Sequence, residues 1–183
     1  GLAPGFLVVD LASGTGDLAH ELRGRGMRAV GVDLSFGMLA AAPRHFDRVQ
    51  GDGTALPFPD GAADGVTCGF ALRNFTDLER TFVELARVVR PGGRISLLEV
   101  AEPPNPLLRA GHGLYFGQVV PRIGALLSDG DAYRYLPRSV AYLPEPAAML
   151  DMLRDAGFTH VRRDLLSVGI AQLITATRGP ADR

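Results

Sequence analysis

Short apolar segments alternate with helix-like segments along most of the chain, and this order is the feature that most restricts the fold. An apolar run of five or six residues is typical of a strand buried on both faces, whereas apolar residues three or four apart indicate one face of a helix. Strands are predicted at 6–11, 28–33, 48–50, 65–70 and 94–100, and helices at 16–23, 36–42 and 76–90. The order predicts an α/β fold, with a mostly parallel sheet flanked by helices.

The alternation is interrupted after the fifth predicted strand. Residues 101–143 contain many Pro, Gly and Tyr residues, and we interpret them as an insertion over the carboxyl edge of the sheet, where α/β proteins place ligand contacts. A helix at 145–156 and two strands at 160–164 and 169–177 then predict a closing antiparallel pair. We expect one domain over 1–183, with Pro91-Gly92-Gly93 ending the helix before the fifth strand.

Composition excludes several classes of function. The formal net charge is -1 and the 19 basic residues are scattered, so nucleic acid is not an expected partner. The chain has a single cysteine, Cys68, and no Cys/His spacing typical of zinc sites, so neither an internal disulfide nor a bound metal is predicted. No apolar run reaches the roughly 18 residues of a membrane span. We expect a cytoplasmic protein.

The first predicted strand leads into a glycine-containing turn that opens a helix, Ala12-Ser13-Gly14-Thr15-Gly16. Glycine lets the backbone approach a ligand closely, and the amides at a helix N-terminus attract negative charge. Enzymes that bind dinucleotides and enzymes that bind S-adenosylmethionine both use such a turn, and a plain tight turn also fits it.

Three carboxylates lie at the ends of predicted strands: Asp10 and Asp33 at the ends of the first and second, and Asp52 just after the third. Because the carboxyl ends of parallel strands meet at one edge, we expect them to converge on one crevice. Such a crevice repels a pyrophosphate but suits S-adenosylmethionine, which carries an ammonium and a sulfonium. Asp33 is expected to accept from both ribose hydroxyls and Asp52 from the adenine amino group. Each aspartate alone also fits a solvated strand end or a helix cap.

Several segments resemble the menaquinone/ubiquinone C-methyltransferase family, whose members are class I S-adenosylmethionine-dependent methyltransferases. Asp10–Asp17 and Pro91-Gly92-Gly93 resemble the class in general, whereas Leu72-Arg73-Asn74-Phe75 and Tyr133-Arg134-Tyr135-Leu136 are particular to the quinone enzymes. The resemblance covers almost the whole chain. It implies a Rossmann-like sheet with an antiparallel C-terminal strand, and methyl transfer to a reduced prenylated quinone, with demethylmenaquinol becoming menaquinol.

The resemblance, together with the three acids, implies a cofactor site. The expected contacts are Asp10, Ala12, Ser13, Gly14, Thr15, Gly16, Asp33, Leu34, Met38, Asp52, Gly53, Thr54, Gly69 and Phe70. One of these positions departs from the general pattern, since Ala12 stands where most methyltransferases of the class have glycine.

The same resemblance implies a catalytic site just past the fourth strand. We expect Arg73 to contact the substrate and neutralise a phenolate, and Asn74 to orient the hydroxyl or a water that takes its proton. Without the resemblance, a salt bridge from Arg73 to the helix that begins near Asp77 is the simpler interpretation. His112 and two tyrosines of the insertion, Tyr133 and Tyr135, are further candidates for substrate contacts, although a surface position is the simpler interpretation of His112.

The apolar insertion predicts a wall for a polyprenyl tail, with peripheral contact to the inner face of the membrane. Packing against the sheet or against a second copy in a homodimer explains it equally well, and the two interpretations are compatible. Family members have several dozen residues before the first strand that form lid helices, and we expect these to be missing here. Three alternatives stay open at this point: a different phenol or lipid as acceptor, an NAD-dependent oxidoreductase, and a non-catalytic member of the fold.

Overall fold

The structure is a computed structural model that describes residues 2–43, 47–103 and 143–180. Within these ranges it contains four α-helices and seven strands. In chain order they are β1 (Leu7–Leu11), α1 (Asp17–Gly24), β2 (Arg28–Asp33), α2 (Phe36–Ala41), β3 (Asp47–Gln50), β4 (Ala63–Gly69), α3 (Leu78–Val88), β5 (Val89–Val100), α4 (Pro146–Asp155), β6 (Phe158–Leu166) and β7 (Ala171–Arg178). Short 3₁₀ turns lie at Leu72–Asn74 and Ser167–Gly169.

The strands form one sheet in the order β3-β2-β1-β4-β5-β7-β6. Strands β1 to β5 are parallel, and β7 runs antiparallel to both β5 and β6. The predicted fold class is confirmed. The chain order reverses between β1 and β4, where Val9 of β1 pairs with Val66 of β4. Ligands of open α/β sheets bind outside the carboxyl ends of the strands at such a reversal.

Neighbouring residues of β1 bury their side chains on opposite faces of the sheet. Val9 belongs to the larger core cluster, which contains Phe82 of α3 and Leu153 of α4. Val8 belongs to a second cluster, which contains Leu22 of α1. Because a strand alternates its side chains, these two clusters place helices on both faces of the sheet, as the apolar run at the start of the chain predicts.

The helix predicted at 76–90 is shorter in the structure, and the prediction that Pro91-Gly92-Gly93 ends it is wrong. The helix begins after Asp77, whose side chain caps it by accepting from the Arg80 amide, and it ends at Val88. Val89 is already extended and pairs with Ala63, so the Pro-Gly-Gly segment lies within β5. The ladder has an irregularity there, which tolerates a proline without an amide proton.

The fifth strand begins at Val89, five residues before its predicted start at 94, and the remaining predicted elements agree with the structure to within about two residues at each end. No helix in the described part of the chain is long and apolar enough to cross a membrane. Cys68 is buried in β4, where desolvation raises the pKa of its thiol, so it serves as a core residue.

Candidate active site

A cleft of about 430 Å³ opens at the carboxyl edge of β1, β2 and β4, where the strand order reverses. Its described lining comes from the last residues of β1, β2 and β4, from the loops that follow β1, β2, β3 and β4, and from the first turn of α2. These residues are Leu11, Ala12, Gly14, Asp33, Leu34, Ser35, Met38, Gly51, Asp52, Gly53, Thr54, Gly69, Phe70, Ala71, Asn74, Phe75 and Thr76. Most of the predicted cofactor contacts therefore come together in one place.

A larger cavity, of about 760 Å³, lies over the face of β4, β5 and β7 beside α1. Its lining includes Leu18, Leu22 and Thr175, and it contains none of the three predicted strand-end acids. Ligands of this type of sheet bind at the carboxyl edge, not over the strand faces. We therefore assign the functional site to the smaller cleft.

The loop after β1 approaches the cleft through its backbone. Ala12 and Gly14 line the cleft, and both have left-handed backbone angles, with φ of 53° and 54°. Ser13, Thr15 and Gly16 shape the loop but are not part of the described lining; the Gly16 amide donates to the Ser13 carbonyl at 2.8 Å. Ser13 Oγ is buried and has no hydrogen-bond partner within the described residues.

Asp33 joins two of the loops that form the cleft. Its Oδ2 accepts from the Gly14 amide at 2.8 Å, and its Oδ1 accepts from the Ser35 amide at 2.8 Å. A carboxylate oxygen has two lone pairs, so each oxygen keeps a further site for a donor. Asp33 can therefore hold the loop in place and still bind two hydroxyl groups of a ligand.

Asp52 lies across the cleft and is exposed. Its Oδ1 accepts from the Thr54 amide at 2.8 Å and from the Thr54 hydroxyl at 2.9 Å. These two hydrogen bonds lower the pKa of Asp52, because they stabilise its charged form. Both bonds go to the same oxygen, which leaves Oδ2 directed away from them for a donor group.

Asp10 does not join the other two acids in the cleft. It is buried below the loop, where its Oδ2 accepts from the Ala19 amide at 3.1 Å and its Oδ1 from the Thr67 hydroxyl at 3.0 Å. Burial raises the pKa of Asp10 to about 6, against the opposing effect of these two hydrogen bonds. The expected convergence therefore holds for two of the three acids.

Arg73 and Asn74 follow β4 in the 3₁₀ turn, and the structure separates them. Asn74 is exposed and lines the cleft, whereas Arg73 is buried behind the turn and is not part of the described lining. The guanidinium of Arg73 donates to Glu99 Oε1 at 2.5 Å. The structure thus pairs Arg73 with β5 instead of the helix near Asp77, and its catalytic role stays a prediction.

Sequence reasoning missed Phe75, which lines the cleft, and Glu99, a buried residue beside it. Phe75 packs so closely on Gly53 that a Cβ at this glycine would lie 2.5 Å from the ring. Glu99 is fully buried, and a charged residue in the apolar strand sequence Ser96-Leu97-Leu98-Glu99-Val100 was a readable sign of a paired group. His112, Tyr133 and Tyr135 lie outside the described residues.

None of the described residues that line the cleft is basic, while two of them are acidic. A diphosphate is disfavoured there, and a cationic nucleoside without phosphate fits the donor and acceptor pattern. This sheet order with such a cleft defines a class I S-adenosylmethionine-dependent methyltransferase.

Comparison with known proteins identifies the family. The sequence profile of the ubiE/COQ5 methyltransferase family matches residues 1–178, and the chain belongs to this family. It is 44% identical over 181 residues to a demethylmenaquinone methyltransferase of Thermus thermophilus, covering 93% of this chain and 82% of that protein. It is 40% identical to a ubiquinone/menaquinone biosynthesis C-methyltransferase of Syntrophotalea carbinolica, covering 99% and 81%.

Solved structures agree on the fold. A SAM-dependent methyltransferase from Aquifex aeolicus superposes with a TM-score of 0.68 at 16% identity, covering 97% of this chain and 84% of that one. Phosphoethanolamine N-methyltransferase 2 of Haemonchus contortus, solved with S-adenosyl-L-methionine, gives 0.71 at 14% identity, covering 98% of this chain and 50% of that one. At these identities the likeness concerns the fold alone.

Proposed function

We propose that this chain transfers a methyl group from S-adenosylmethionine to a ring carbon of a reduced prenylated quinone, with demethylmenaquinol as the principal acceptor. The observation that carries the proposal is the acidic cleft without a described basic residue, with Asn74 on its wall. The names of the relatives from Thermus thermophilus and Syntrophotalea carbinolica support the quinone acceptor.

The described residues suggest how the cofactor is held. Asp33 would accept from the two ribose hydroxyls with the lone pairs that Gly14 and Ser35 leave free, and Asp52 Oδ2 would accept from the adenine amino group. The apolar side chains of Leu34, Met38 and Phe70, all exposed at the cleft, cover the flat faces of the ligand. When bound, S-adenosylmethionine supplies an electrophilic methyl group.

The acceptor is activated by loss of a proton from the hydroxyl beside the reacting carbon, which makes that carbon nucleophilic. Asn74 orients this hydroxyl, or a water that takes its proton, because its amide both donates and accepts hydrogen bonds. Holding the two reactants in line lowers the barrier by roughly 7–11 kcal/mol in favourable systems. Three further residues proposed to contact the acceptor lie outside the described part of the chain: His112, Tyr133 and Tyr135.

The cofactor site is tested with Asp33→Asn, which keeps the shape of the side chain but replaces one acceptor oxygen by a donor. Hydrogen bonds to charged groups contribute about 1.5–3 kcal/mol, so we expect roughly a 10- to 100-fold weaker Kd for S-adenosylmethionine by calorimetry. Asp47→Asn is the matched control, because this substitution removes the same charge at an exposed residue at the start of β3, the end of the strand away from the cleft. An equal loss of affinity in both variants would reject the assignment of Asp33.

The acceptor is tested by transfer of a labelled methyl group to demethylmenaquinol, with demethylated benzoquinols and simple phenols beside it. We expect the prenylated naphthoquinol to give the highest kcat/KM. If only simple phenols are methylated, the proposed quinol acceptor is rejected. If the protein binds NAD and does not bind S-adenosylmethionine, the whole proposed function is rejected.

We also propose contact with the surface of a lipid bilayer, because a polyprenyl tail keeps the acceptor in the membrane. Co-sedimentation with vesicles that contain the acceptor, compared with plain vesicles, measures this contact. Association of two copies stays a prediction.

A further inference from the structure

Glu99 is a fully buried carboxylate at the carboxyl end of β5, and it lies outside the described lining of the cleft. It accepts hydrogen bonds from both the side chain and the main chain of Arg73, in the loop after β4. Its Oε1 accepts from the Arg73 guanidinium at 2.5 Å, and its Oε2 accepts from the Arg73 backbone amide at 3.2 Å. The Val100 amide also donates to Oε1, at 2.8 Å.

The energetics of such a pair point away from stability as its main purpose. Desolvation offsets much of the attraction within a buried ion pair, and apolar side chains of similar volume often stabilise a core equally well. What the pair provides here is orientation, because one carboxylate holds both the side chain and the main chain of Arg73. A peptide unit held in this way has little freedom to rotate.

The residue that follows is Asn74, which faces the cleft. The turn that carries it is held on both sides. Towards β5, the Phe70 amide donates to the Leu98 carbonyl at 2.7 Å, continuing the ladder up to the Glu99 contact. Towards the loop after β3, the Phe75 ring packs on Gly53. Asn74 therefore projects from a short segment with fixed ends.

We propose that Glu99 is a positioning residue for methyl transfer: it holds Arg73 so that the neighbouring Asn74 amide stays aligned with the acceptor hydroxyl. This inference rests on the function proposed above. It assigns Arg73 an indirect part, since its charge is already balanced by Glu99 and its side chain is buried behind the turn.

The first test is Glu99→Gln, which keeps the shape of the side chain and removes its charge. A misplacement of about 1 Å at a reacting group costs roughly 100-fold, so we expect kcat to fall between about 10- and 100-fold. The Kd for S-adenosylmethionine should change far less, because Asp33 and Asp52 do not touch the pair. Glu99→Asp, which keeps the charge, should recover part of kcat. A uniform fall in kcat and cofactor affinity would overturn the proposal.

A double-mutant cycle separates positioning from plain loss of structure. If Glu99 acts through Asn74, adding Glu99→Gln to Asn74→Ala should leave kcat within about twofold of Asn74→Ala alone. Leu153→Ala is the matched control for destabilisation, because Leu153 is fully buried on α4 and does not line the cleft. Its effect should multiply with that of Asn74→Ala. Multiplying effects for Glu99→Gln as well would overturn the proposal.

Hydrogen exchange gives a readout that does not depend on the acceptor. In Glu99→Gln, the amides of residues 70–76 should exchange faster, while those of α3 and β1 keep wild-type rates; in Leu153→Ala the increase should not be confined to 70–76. Unchanged exchange at 70–76 overturns the positioning role whatever the acceptor is. Faster exchange with an enzyme that ignores demethylmenaquinol would reject the proposed acceptor and retain the positioning of the turn.

Discussion

Ala12 shows at the scale of one residue how the glycine loop accepts a departure from the common pattern. Its φ is 53°, in the left-handed region that costs a residue with a Cβ roughly 1–2 kcal/mol. Alanine has the smallest side chain that pays this cost, and the backbone at position 12 still reaches the cleft. The structure therefore explains why glycine suits this position and why alanine is tolerated.

This strain leads to a paired prediction. Ala12→Gly should leave the free energy of unfolding unchanged or raise it by up to about 1 kcal/mol, because relief of strain exceeds the added freedom of the unfolded chain. Ala12→Val should lower it by about 1–3 kcal/mol, since a β-branched residue is poorly tolerated at positive φ. Urea unfolding of both variants measures the difference. A Gly variant less stable than the wild type would contradict the assignment of strain.

The acids show how far reasoning from single residues reaches. Asp33 and Asp52 were predicted at the cleft and line it, because both lie where a strand ends and the chain turns outward. Asp10 also lies near the end of a strand, one residue before the last residue of β1, yet its side chain turns inward to Thr67 and α1. Which way a strand-end side chain turns depends on its neighbours in space, and those are not written in the local sequence.

At the scale of elements, the loop after β3 and the loop after β4 meet in a close contact between Gly53 and Phe75. Gly53 leaves room for the Phe75 ring, and a Cβ there would lie 2.5 Å from Phe75 Cε1, where real contacts essentially never occur. The contact places Asp52 and Asn74 on two sides of one cleft. The relation between the two loops depends on the absence of a side chain at position 53.

Gly53→Ala should therefore push the Phe75 ring away and weaken the binding of S-adenosylmethionine, by about tenfold if one hydrogen bond of the cleft is lost. The second substitution Phe75→Leu makes room for the new methyl group and should restore part of the affinity in the double variant. Calorimetry on the single and double variants measures both steps. If Phe75→Leu lowers affinity further in the Gly53→Ala background, the contact does not set the distance between the loops.

Another element-scale finding is the early end of α3. Apolar spacing alone continues the helix through Val89, but Val89 enters the ladder with Ala63 and is buried there. Apolar periodicity shows which residues could form one face of a helix. It does not show which of these residues pair with a neighbouring strand instead, because that pairing depends on contacts in space. The prediction that the helix ends before Pro91-Gly92-Gly93 was therefore correct, but the segment itself lies within β5 and does not end the helix.

At the scale of the whole molecule, Asp10 couples stability to pH. It lies between β1, β4 and α1, where burial raises its pKa from the ordinary 3.8 to about 6. Because the folded state binds the proton more tightly than the unfolded chain, the contribution of Asp10 to stability is present below about pH 4 and is lost as pH rises through 6. The full loss corresponds to roughly 3 kcal/mol.

Asp10→Asn removes this titration with little change of shape. The difference in free energy of unfolding between wild type and variant should shift in favour of the variant by roughly 1 kcal/mol from pH 5 to pH 7.5. Denaturant unfolding at both pH values measures it, and the other carboxylates cancel because both proteins contain them. A difference that does not change with pH would mean that Asp10 is already ionised at pH 5.

The order of strands and helices, the glycine turn and the strand-end position of the two acids that line the cleft were determined by the sequence alone, because periodicity and turn chemistry act over a few residues. Only the tertiary structure decided that Asp10 faces inward, that Phe75 covers Gly53, and that Arg73 pairs with Glu99, 26 residues further along the chain. The pairing of β4 with β5 brings that carboxylate beneath the turn, and pairing between strands depends on contacts between segments far apart in sequence.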